Sequence, residues 1–351
     1  MYVRNCWYVA AWNHEIKENA LFSCMIINQP LVIYRKADGA LAAFENRCCH
    51  RGAPLSMGRR EGDNLRCLYH GLKFAPDGRC IEIPGQDRIP NNACVKTFPV
   101  IEAHSWIWVW MGDPALADPD LIPRAMALDT PGWQSRSGHI EYETYYQLIN
   151  DNLLDFSHLG YVHPTSFATS EDWAFTRPKI TRVPRGLRIE RWVTDQPSAH
   201  GVDAPRVDIW NRYDFLLPGI IVMDAHAVEA GGAQRNDMGP PDLTKTPALF
   251  TQYSCQAVTP VSDHRSRYSY SVLMPDHLAG NGMLDGFWAG TLAAFEEDRI
   301  IIEAQASINR LDPDRAPVPT SFDAALGQFR WLIEKMVKEE QSVSAAPVVA
   351  A

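Results

Sequence analysis

Two short boxes of cysteine and histidine constrain this chain more than any other feature of its sequence. The first box is Cys48-Cys49-His50 and the second is Cys67-Leu68-Tyr69-His70, with sixteen residues, 51–66, between them. Each box supplies one thiolate and one imidazole, and both are metal-binding groups. The fold must therefore hold two loops side by side, so that ligands far apart in the sequence reach one metal group.

The mixed composition of the boxes favours a Rieske 2Fe–2S cluster, in which two histidines replace two cysteines on one of the two irons. A structural zinc site also uses two cysteines and two histidines, but a zinc finger usually separates them into a cysteine box and a histidine box. Here Cys48 and His50 share one box, and Cys67 and His70 share the other. We therefore expect these four residues to hold one 2Fe–2S Rieske cluster, which passes single electrons.

Composition and charge exclude several classes of protein. The chain has 351 residues and a formal net charge of −9 without a basic stripe, which argues against nucleic acid as a partner. The longest dense apolar run, residues 106–111, is far shorter than the roughly 20 residues of a membrane-spanning helix. The N-terminus lacks a signal-peptide pattern, and eight cysteines are too few for a disulfide scaffold. We therefore expect a cytoplasmic protein without a membrane partner.

The length and the changing texture of the sequence predict an α+β chain with two domains. We expect an all-β Rieske domain over residues 1–113 and a larger catalytic domain of antiparallel sheet and helices over 114–340. The segment 341–351 is small and featureless, so we expect a disordered tail. Turn residues at 112–114 and 118–120 mark the domain boundary.

Local patterns predict the elements of both domains. Asp38-Gly39 between two apolar runs predicts a β-hairpin, and both boxes lie on loops between strands. The predicted strands cover residues 31–34, 40–44, 65–67, 72–74, 105–111, 180–194 and 248–274, and the predicted helices cover 143–161, 286–309 and 322–338. The segment 228–247 is rich in glycine, proline and polar residues, which predicts a long surface loop.

The predicted helix 143–161 carries candidates for a second metal site. Asp155 and His158 are three residues apart and so share one helix face, whereas His163 follows five residues later. For both imidazoles to reach one ion, the helix must end or kink near Gly160. Two histidines and one carboxylate form the facial triad of non-haem iron, and an electron donor such as the Rieske cluster requires an acceptor. We therefore expect one mononuclear Fe(II) here.

The spacing leaves the third ligand of this iron open. Asp155 is the nearest carboxylate in the sequence. Asp298 lies among apolar residues on the predicted helix 286–309, with Glu296 and Glu297 directly before it. Composition alone favours none of these four carboxylates.

The chain resembles the Rieske non-haem iron oxygenases over nearly its full length. It is similar in particular to the group that contains the oxygenase components of vanillate O-demethylase, toluenesulfonate methyl-monooxygenase and dicamba O-demethylase. The resemblance rests on the two boxes, on Asn152-x-x-Asp155-x-x-His158-x4-His163, and on Glu297-Asp298 late in the chain.

This resemblance implies roles for the candidate residues. His158, His163 and Asp298 would hold the mononuclear iron. Asp155 would be an electron bridge between subunits, with its carboxylate bonded to His70 of one subunit and His158 of the next. Such a bridge requires a head-to-tail ring, which implies a homotrimer. Asn152 is a further candidate catalytic residue.

Together these features predict the terminal oxygenase component of a two-component aromatic monooxygenase. We expect O2-dependent O-demethylation or methyl hydroxylation of a small substrate, a substituted aromatic acid. The chain has neither a Gly-x-Gly-x-x-Gly turn nor a plant-type ferredoxin motif, so a separate NAD(P)H-dependent flavin and iron–sulfur reductase must supply electrons. cis-Dihydroxylation of an aromatic ring by the same iron stays open, and a Rieske electron carrier is the alternative without enzyme activity.

The sequence gives only general candidates for the substrate pocket, which should be largely apolar with a few polar anchors. Trp210 and Trp288 are candidate walls. An acidic substrate calls for a cation, for which the candidates are Arg206, Arg212, Arg265 and Arg267.

Overall fold

The computed structural model describes residues 1–125, 128–197, 205–280 and 282–344, and it contains two structural units. Among the described residues, the first unit consists of 1–122, 259–263 and 339–344. The second unit consists of residues 123–258 and 264–338.

The first unit consists mainly of short β-strands. They are β1 (Trp7–Trp12), β2 (Phe22–Ile26), β3 (Gln29–Arg35), β4 (Leu41–Glu45), β5 (Arg59–Glu61), β6 (Asn64–Arg66), β7 (Lys73–Phe74), β8 (Cys80–Glu82), β9 (Val100–Ala103) and β10 (Trp106–Trp110). One sheet has the order β1-β10-β9, a second has β2-β3-β4, and a third has β5-β6-β7-β8. The two cysteine–histidine boxes lie on loops between strands of these sheets.

Two predictions about this unit are confirmed. The hairpin at Asp38-Gly39 forms between β3 and β4, and Gly39 has a φ of +83°, which glycine adopts without strain. The aromatic run 106–111 contains β10, in which every residue is buried. Large aromatic side chains therefore fill the core beside this strand, as their size and β-propensity favour.

The second unit is built on one antiparallel sheet. Its strands are β11 (Trp133–Tyr142), β12 (Lys179–Val183), β13 (Gly186–Gln196), β14 (Val207–Leu216), β15 (Ile220–Glu229), β16 (Phe250–Ser262) and β17 (Arg265–Pro275). The strand order is β11-β17-β16-β15-β14-β13-β12. The helices are α1 (Tyr146–Leu154), α2 (Leu159–Val162), α3 (Asp172–Phe175), α4 (Gly232–Arg235), α5 (Asp276–Ala279), α6 (Met283–Asn309) and α7 (Ala324–Ser344). This confirms the predicted α+β class, with a β-rich first part and a larger sheet with helices.

The prediction of one continuous helix over 143–161 is wrong. Helix α1 ends at Leu154, and Asp155 has an extended backbone with φ −126° and ψ 100°. A 3-10 turn then covers 156–158, and the carboxylate of Asp155 caps it by accepting from the backbone N–H of Ser157. Aspartate is a preferred residue at such a cap, and this preference overrides the apolar helical spacing.

Besides the break at Asp155, helix α2 ends at Val162, two residues after Gly160, near which we expected the helix to end or kink. Gly160 lies inside α2, where a Cβ would come within 2.3 Å of the carbonyl oxygen of Ser170. The glycine therefore serves close packing of two backbone segments and does not end the helix.

Smaller differences concern the loops and the C-terminus. The strand predicted over 180–194 is a hairpin of β12 and β13, and the loop predicted over 228–247 contains the short helix α4. Helix α7 extends to Ser344, four residues into the segment expected to be disordered, and residues 345–351 lie outside the described residues. No helix in the described ranges combines the length and the apolarity that a membrane span requires.

Candidate metal centres and substrate cavity

The two cysteine–histidine boxes adopt the same backbone turn. The first box lies between β4 and β5 and the second between β6 and β7. In each turn the cysteine N–H donates to the carbonyl five residues later, and a glycine N–H donates back to the cysteine carbonyl. These hydrogen bonds are Cys48 to Ala53 at 2.8 Å, Gly52 to Cys48 at 2.9 Å, Cys67 to Leu72 at 2.8 Å and Gly71 to Cys67 at 3.2 Å. Both glycines have positive φ, +71° and +74°, so the residue type fits the turn.

Side-chain burial separates the four candidate ligands into two pairs. Cys48 and Cys67 are each 2% exposed and belong to the core of the first unit, whereas His50 and His70 lie at the surface. The two imidazole rings have centroids 4.6 Å apart. Burial raises the pKa of the Cys48 thiol to about 12, and its hydrogen bond with Cys67 adds to this effect. Two adjacent thiols and two adjacent imidazoles fit a cluster that has one iron for each pair.

The second centre consists of His158, His163 and Asp298. One ligand atom from each of these residues lies within 4.8 Å of the others, as a single metal ion requires. His158 ends the 3-10 turn after the break, His163 follows α2, and Asp298 lies on the buried side of α6. Two imidazoles and one carboxylate with open positions suit non-haem Fe(II).

His163 shows most directly that this site fits a metal. Its Nδ1 lies 2.8 Å from Oε2 of Glu297, so the ring proton is placed on Nδ1. Its Nε2 is buried, has no hydrogen-bond partner and lies 3.2 Å from Oδ1 of Asp298. Burial opposes a charge on this ring, but the adjacent carboxylates outweigh burial and raise the pKa of His163. A metal between Nε2 and Oδ1 would satisfy both lone pairs.

The environment of His158 directs one ring nitrogen toward the site, where that nitrogen, Nε2, has only a long contact of 3.4 Å with Nδ2 of Asn152. Its Nδ1 lies 2.5 Å from the main-chain oxygen of Asp155, and its Nε2 lies 3.5 Å from Oδ1 of Asp298. Burial is the main cause that lowers the pKa of His158 and keeps the ring neutral, as a metal ligand must be. Asn152 donates from Nδ2 to Oδ1 of Asp298 at 2.9 Å, so it orients that carboxylate.

Within this chain the carboxylate of Asp155 does not bond His158, and the predicted bridge from Asp155 to His70 of another subunit stays a prediction. Both carboxylate oxygens accept from Ser157, one from the backbone N–H and one from the hydroxyl, each at 2.8 Å. The main chain at residue 155 reaches His158 because the backbone is extended there and turns its carbonyl toward the ring.

The structure distinguishes the carboxylates that sequence spacing left open. Glu296 pairs with Arg299 on the same helix, and Glu297 holds His163 and Ser166 from outside the site. Asp298 alone of the three on α6 reaches both histidines. The sequence did not identify Glu297 as the partner of His163, although a carboxylate that orients a metal-binding imidazole is a frequent arrangement.

A cavity of about 190 Å³ adjoins this centre. His158, His163 and Asp298 lie at one part of its wall. Aromatic side chains form much of the rest, namely Phe156, Phe167, Trp173, Phe250, Phe287 and Phe295. The ring of Phe167 lies 5.5 Å from that of His163 and 6.1 Å from that of Phe287. A flat apolar molecule can therefore lie directly beside the candidate metal ligands.

The predictions for the cavity wall are wrong. Trp210 packs against Trp192, Val228 and Ala233, because it lies between Ile209 and Asn211, which face the cavity from the opposite side of β14. Trp288 packs on Tyr270, while Phe287 beside it on α6 lines the cavity.

The four candidate arginines do not line the cavity either. Each faces a carboxylate: Arg206 pairs with Asp195, Arg212 with Asp224, Arg265 with Glu143, and Arg267 lies 3.9 Å from Glu141. Among the described residues, neither lysine nor arginine lines this cavity.

Comparisons with known proteins agree with both centres. Residues 6–99 match the family model "Rieske [2Fe-2S] domain", and residues 142–339 match "Vanillate O-demethylase oxygenase C-terminal domain". The chain is 41% identical to the toluene-4-sulfonate monooxygenase system iron-sulfur subunit of Comamonas testosteroni, over 98% of this chain and 100% of that protein. It is 31% identical to a vanillate O-demethylase oxygenase subunit of a Pseudomonas species, over 100% and 99% of the two chains.

Solved structures show the same architecture. The crystal structure of dicamba monooxygenase bound to dicamba has a TM-score of 0.83 and 26% sequence identity, covering 97% of this chain and 99% of that one. Another structure of that enzyme holds non-haem iron together with dicamba.

Proposed function

Since the chain belongs to the Rieske non-haem iron oxygenases of the vanillate O-demethylase group, we propose that it is the terminal oxygenase component of a two-component aromatic monooxygenase. The reaction would be O-demethylation or methyl hydroxylation of a substituted aromatic acid. The observation that carries this proposal is the unpartnered Nε2 of His163, which lies beside Asp298 at the wall of a cavity lined by aromatic rings.

The two candidate metal centres have different roles in the proposed reaction. Cys48, Cys67, His50 and His70 would hold the 2Fe–2S cluster, and His158, His163 and Asp298 would hold the mononuclear iron. The cluster supplies single electrons and the mononuclear iron supplies oxygen activation. Asn152 holds the carboxylate of Asp298 in place, and Glu297 fixes the ring of His163.

The cavity wall positions the substrate. Phe167 and Phe287 would flank the aromatic ring, and the methyl or methoxy group would point toward His158 and His163. The apolar lining excludes bulk water from the reacting group, which protects against side reactions. Orientation of this kind is a major contribution to catalysis, because the reacting atoms must approach closely.

Electron delivery requires partners. We propose a separate NAD(P)H-dependent flavin and iron–sulfur reductase, and a homotrimer in which Asp155 of one subunit links to His70 of the next. The exposed position of His70 and the partial exposure of Asp155 support such a contact between copies of the chain. The thiols of Cys49, Cys80 and Cys94 agree with a cytoplasmic location, where cysteines stay reduced.

Product analysis under labelled oxygen tests this function. The purified chain with a ferredoxin-type reductase and NADH should oxidise methyl- or methoxy-substituted benzoates and incorporate one atom of 18O2 into the initial product. Both atoms in one product would mean ring dihydroxylation. Metal analysis provides the control for an electron carrier: a carrier would hold two irons per chain and the oxygenase three.

A further inference from the structure

A row of residues crosses four neighbouring strands beneath the cavity. Arg191 on β13 pairs with Asn211 on β14, Asn211 pairs with Ala225 on β15, and Ala225 pairs with Gln252 on β16. Residues directly opposite each other in an antiparallel sheet point to the same face. Asn211, Ala225 and Gln252 all line the cavity. Two carboxamides therefore flank one small side chain on its wall.

The two carboxamides have unused hydrogen-bonding capacity. Oε1 of Gln252 is buried and accepts no hydrogen bond from any described residue. The amide of Asn211 donates only to the sulfur of Met223, at 3.3 Å, and sulfur is a weak acceptor. A buried polar group without a partner is unfavourable, so this row is suited to receive a polar group from a ligand.

Two other polar side chains on the cavity wall, Gln256 and His226, already have partners, whereas the buried Nε1 of Trp173 has none among the described residues. Gln256 donates to Ser254 and accepts from the hydroxyl of Tyr268. His226 contacts Thr251 through Nδ1 and Asp224 through Nε2. Both ring nitrogens of His226 are therefore occupied, and both polar atoms of the Gln256 amide already have a partner.

The small side chain of Ala225 leaves space between the carboxamides. Neighbouring strands are about 4.8 Å apart, so the strands of Asn211 and Gln252 are separated by roughly 10 Å. A carboxylate or a similar head group fits between two side chains at that separation, with Ala225 below it.

Arg191 adds a positive charge at the end of the row. It is 5% exposed, donates to the main-chain oxygen of Trp173 at 3.2 Å, and lies over the Trp173 ring at 5.6 Å. Burial lowers the pKa of Arg191, with Asp155 acting on it electrostatically, but no carboxylate among the described residues forms an ion pair with it. A buried guanidinium remains charged and favours an anion nearby.

We propose that the row Asn211–Ala225–Gln252, with Arg191 at its end, binds the anionic head group of the aromatic acid. The inference rests on the proposed function and adds where the acid is held. The amide groups of Asn211 and Gln252 donate N–H bonds to the carboxylate; the amide of Gln252 can rotate to exchange its nitrogen and oxygen. Arg191 does not touch the ligand; its positive charge stabilises the negative charge of the bound carboxylate by a longer-range electrostatic interaction.

A charge reversal at Gln252 tests this proposal. Glutamine and glutamate have the same shape, so Gln252→Glu changes the charge and the donor with little change in volume. The dissociation constants of 4-methylbenzoate and of uncharged 4-methylbenzamide are measured by calorimetry with the holoprotein. We expect affinity for the acid to fall about tenfold or more, because a hydrogen bond to a charged group is lost and like charges face each other. Affinity for the amide should stay within about twofold.

Three further variants complete the test. Gln234→Glu makes the same substitution at an exposed position of α4 and should leave both affinities unchanged. Asn211→Asp repeats the charge reversal on the other side of Ala225, in case Gln252→Glu does not fold. Ala225→Val fills the space with a residue that strands favour, and it should weaken binding of both ligands.

The outcomes separate this inference from the proposed function. If Gln252→Glu and Asn211→Asp bind the acid as tightly as the unmodified protein, the assignment of the row is overturned, whether or not the protein oxidises aromatic acids. If the acid binds through the row but no aromatic acid is oxidised in the presence of reductase and NADH, the inference stands and the proposed reaction fails.

Discussion

Replacement of Glu297 tests how the mononuclear centre is held together. The Glu297 carboxylate lies 2.8 Å from Nδ1 of His163 and accepts from the hydroxyl of Ser166 at 2.7 Å. The His163 ring is fully buried. In Glu297→Ala the ring proton loses its partner on Nδ1 and can move to Nε2, which lies 3.2 Å from Asp298. Iron must then displace that proton before it binds.

The expected loss follows from these contacts. A buried donor without a partner costs about 1–3 kcal/mol, and removal of a group that orients a metal ligand lowers metal affinity about 10- to 100-fold. The second figure corresponds to roughly 1.4–2.7 kcal/mol, so the two estimates agree. Glu297→Gln keeps an oxygen acceptor but removes the charge, and we expect it to fall between the alanine variant and the unmodified protein.

The assay is an anaerobic titration of Fe(II) against a chelator, with protein whose 2Fe–2S cluster is intact and whose mononuclear site has been emptied. Glu296→Ala is the matched control, because Glu296 is the preceding residue of the same helix and pairs with Arg299 on the helix surface. An Fe(II) dissociation constant in Glu297→Ala equal to that of the control would refute the role of the carboxylate.

Three other predictions concern the break after α1, the packing of α2 and the cavity wall. Asp155→Asn keeps an acceptor for the N–H of Ser157, so both metals should stay bound while electron transfer from cluster to iron slows by roughly 10- to 100-fold. Rapid-freeze EPR of the reduced protein measures the rate of this transfer, and loss of either metal would contradict the prediction. Gly160→Ala places a Cβ 2.3 Å from the oxygen of Ser170, so urea unfolding should show a loss of about 1–3 kcal/mol, and unchanged stability would be inconsistent with the packing described. Trp210 packs in a core cluster, so Trp210→Phe should lower the free energy of unfolding by about 1–2 kcal/mol in the same assay and leave ligand affinity unchanged. Weaker ligand binding by this variant would instead place Trp210 at the cavity wall.

The sequence predicted those features that depend on neighbouring residues. The hairpin at Asp38-Gly39 depends on local turn chemistry, and the α+β class follows from the order of strands and helices. The break at Asp155 was missed because the apolar spacing of a helix continues across it, and only the cap formed with Ser157 ends the regular hydrogen bonding. An aspartate two residues before a serine was the available signal.

The cavity wall could not be predicted for a different reason. Which face of β14 meets the cavity depends on the pairing of strands that are distant in the sequence, and a shift by one residue exchanges Trp210 for Asn211. The partnership of Glu297 with His163 likewise joins residues 134 positions apart. Such contacts exist only after α6 has packed against the segment that follows α2.

The repeated turn of the two boxes has a consequence for how the surface around the cluster can change. Each turn is closed by its own main-chain hydrogen bonds and fixed by one glycine, so the intervening side chains do not hold the ligands in position. Leu68 and Tyr69 are about 60% exposed, and Cys49 is exposed as well. Substitutions at these exposed positions can change the shape or charge of the surface that an electron-donating protein contacts. The main-chain turns that hold the candidate cluster ligands stay the same.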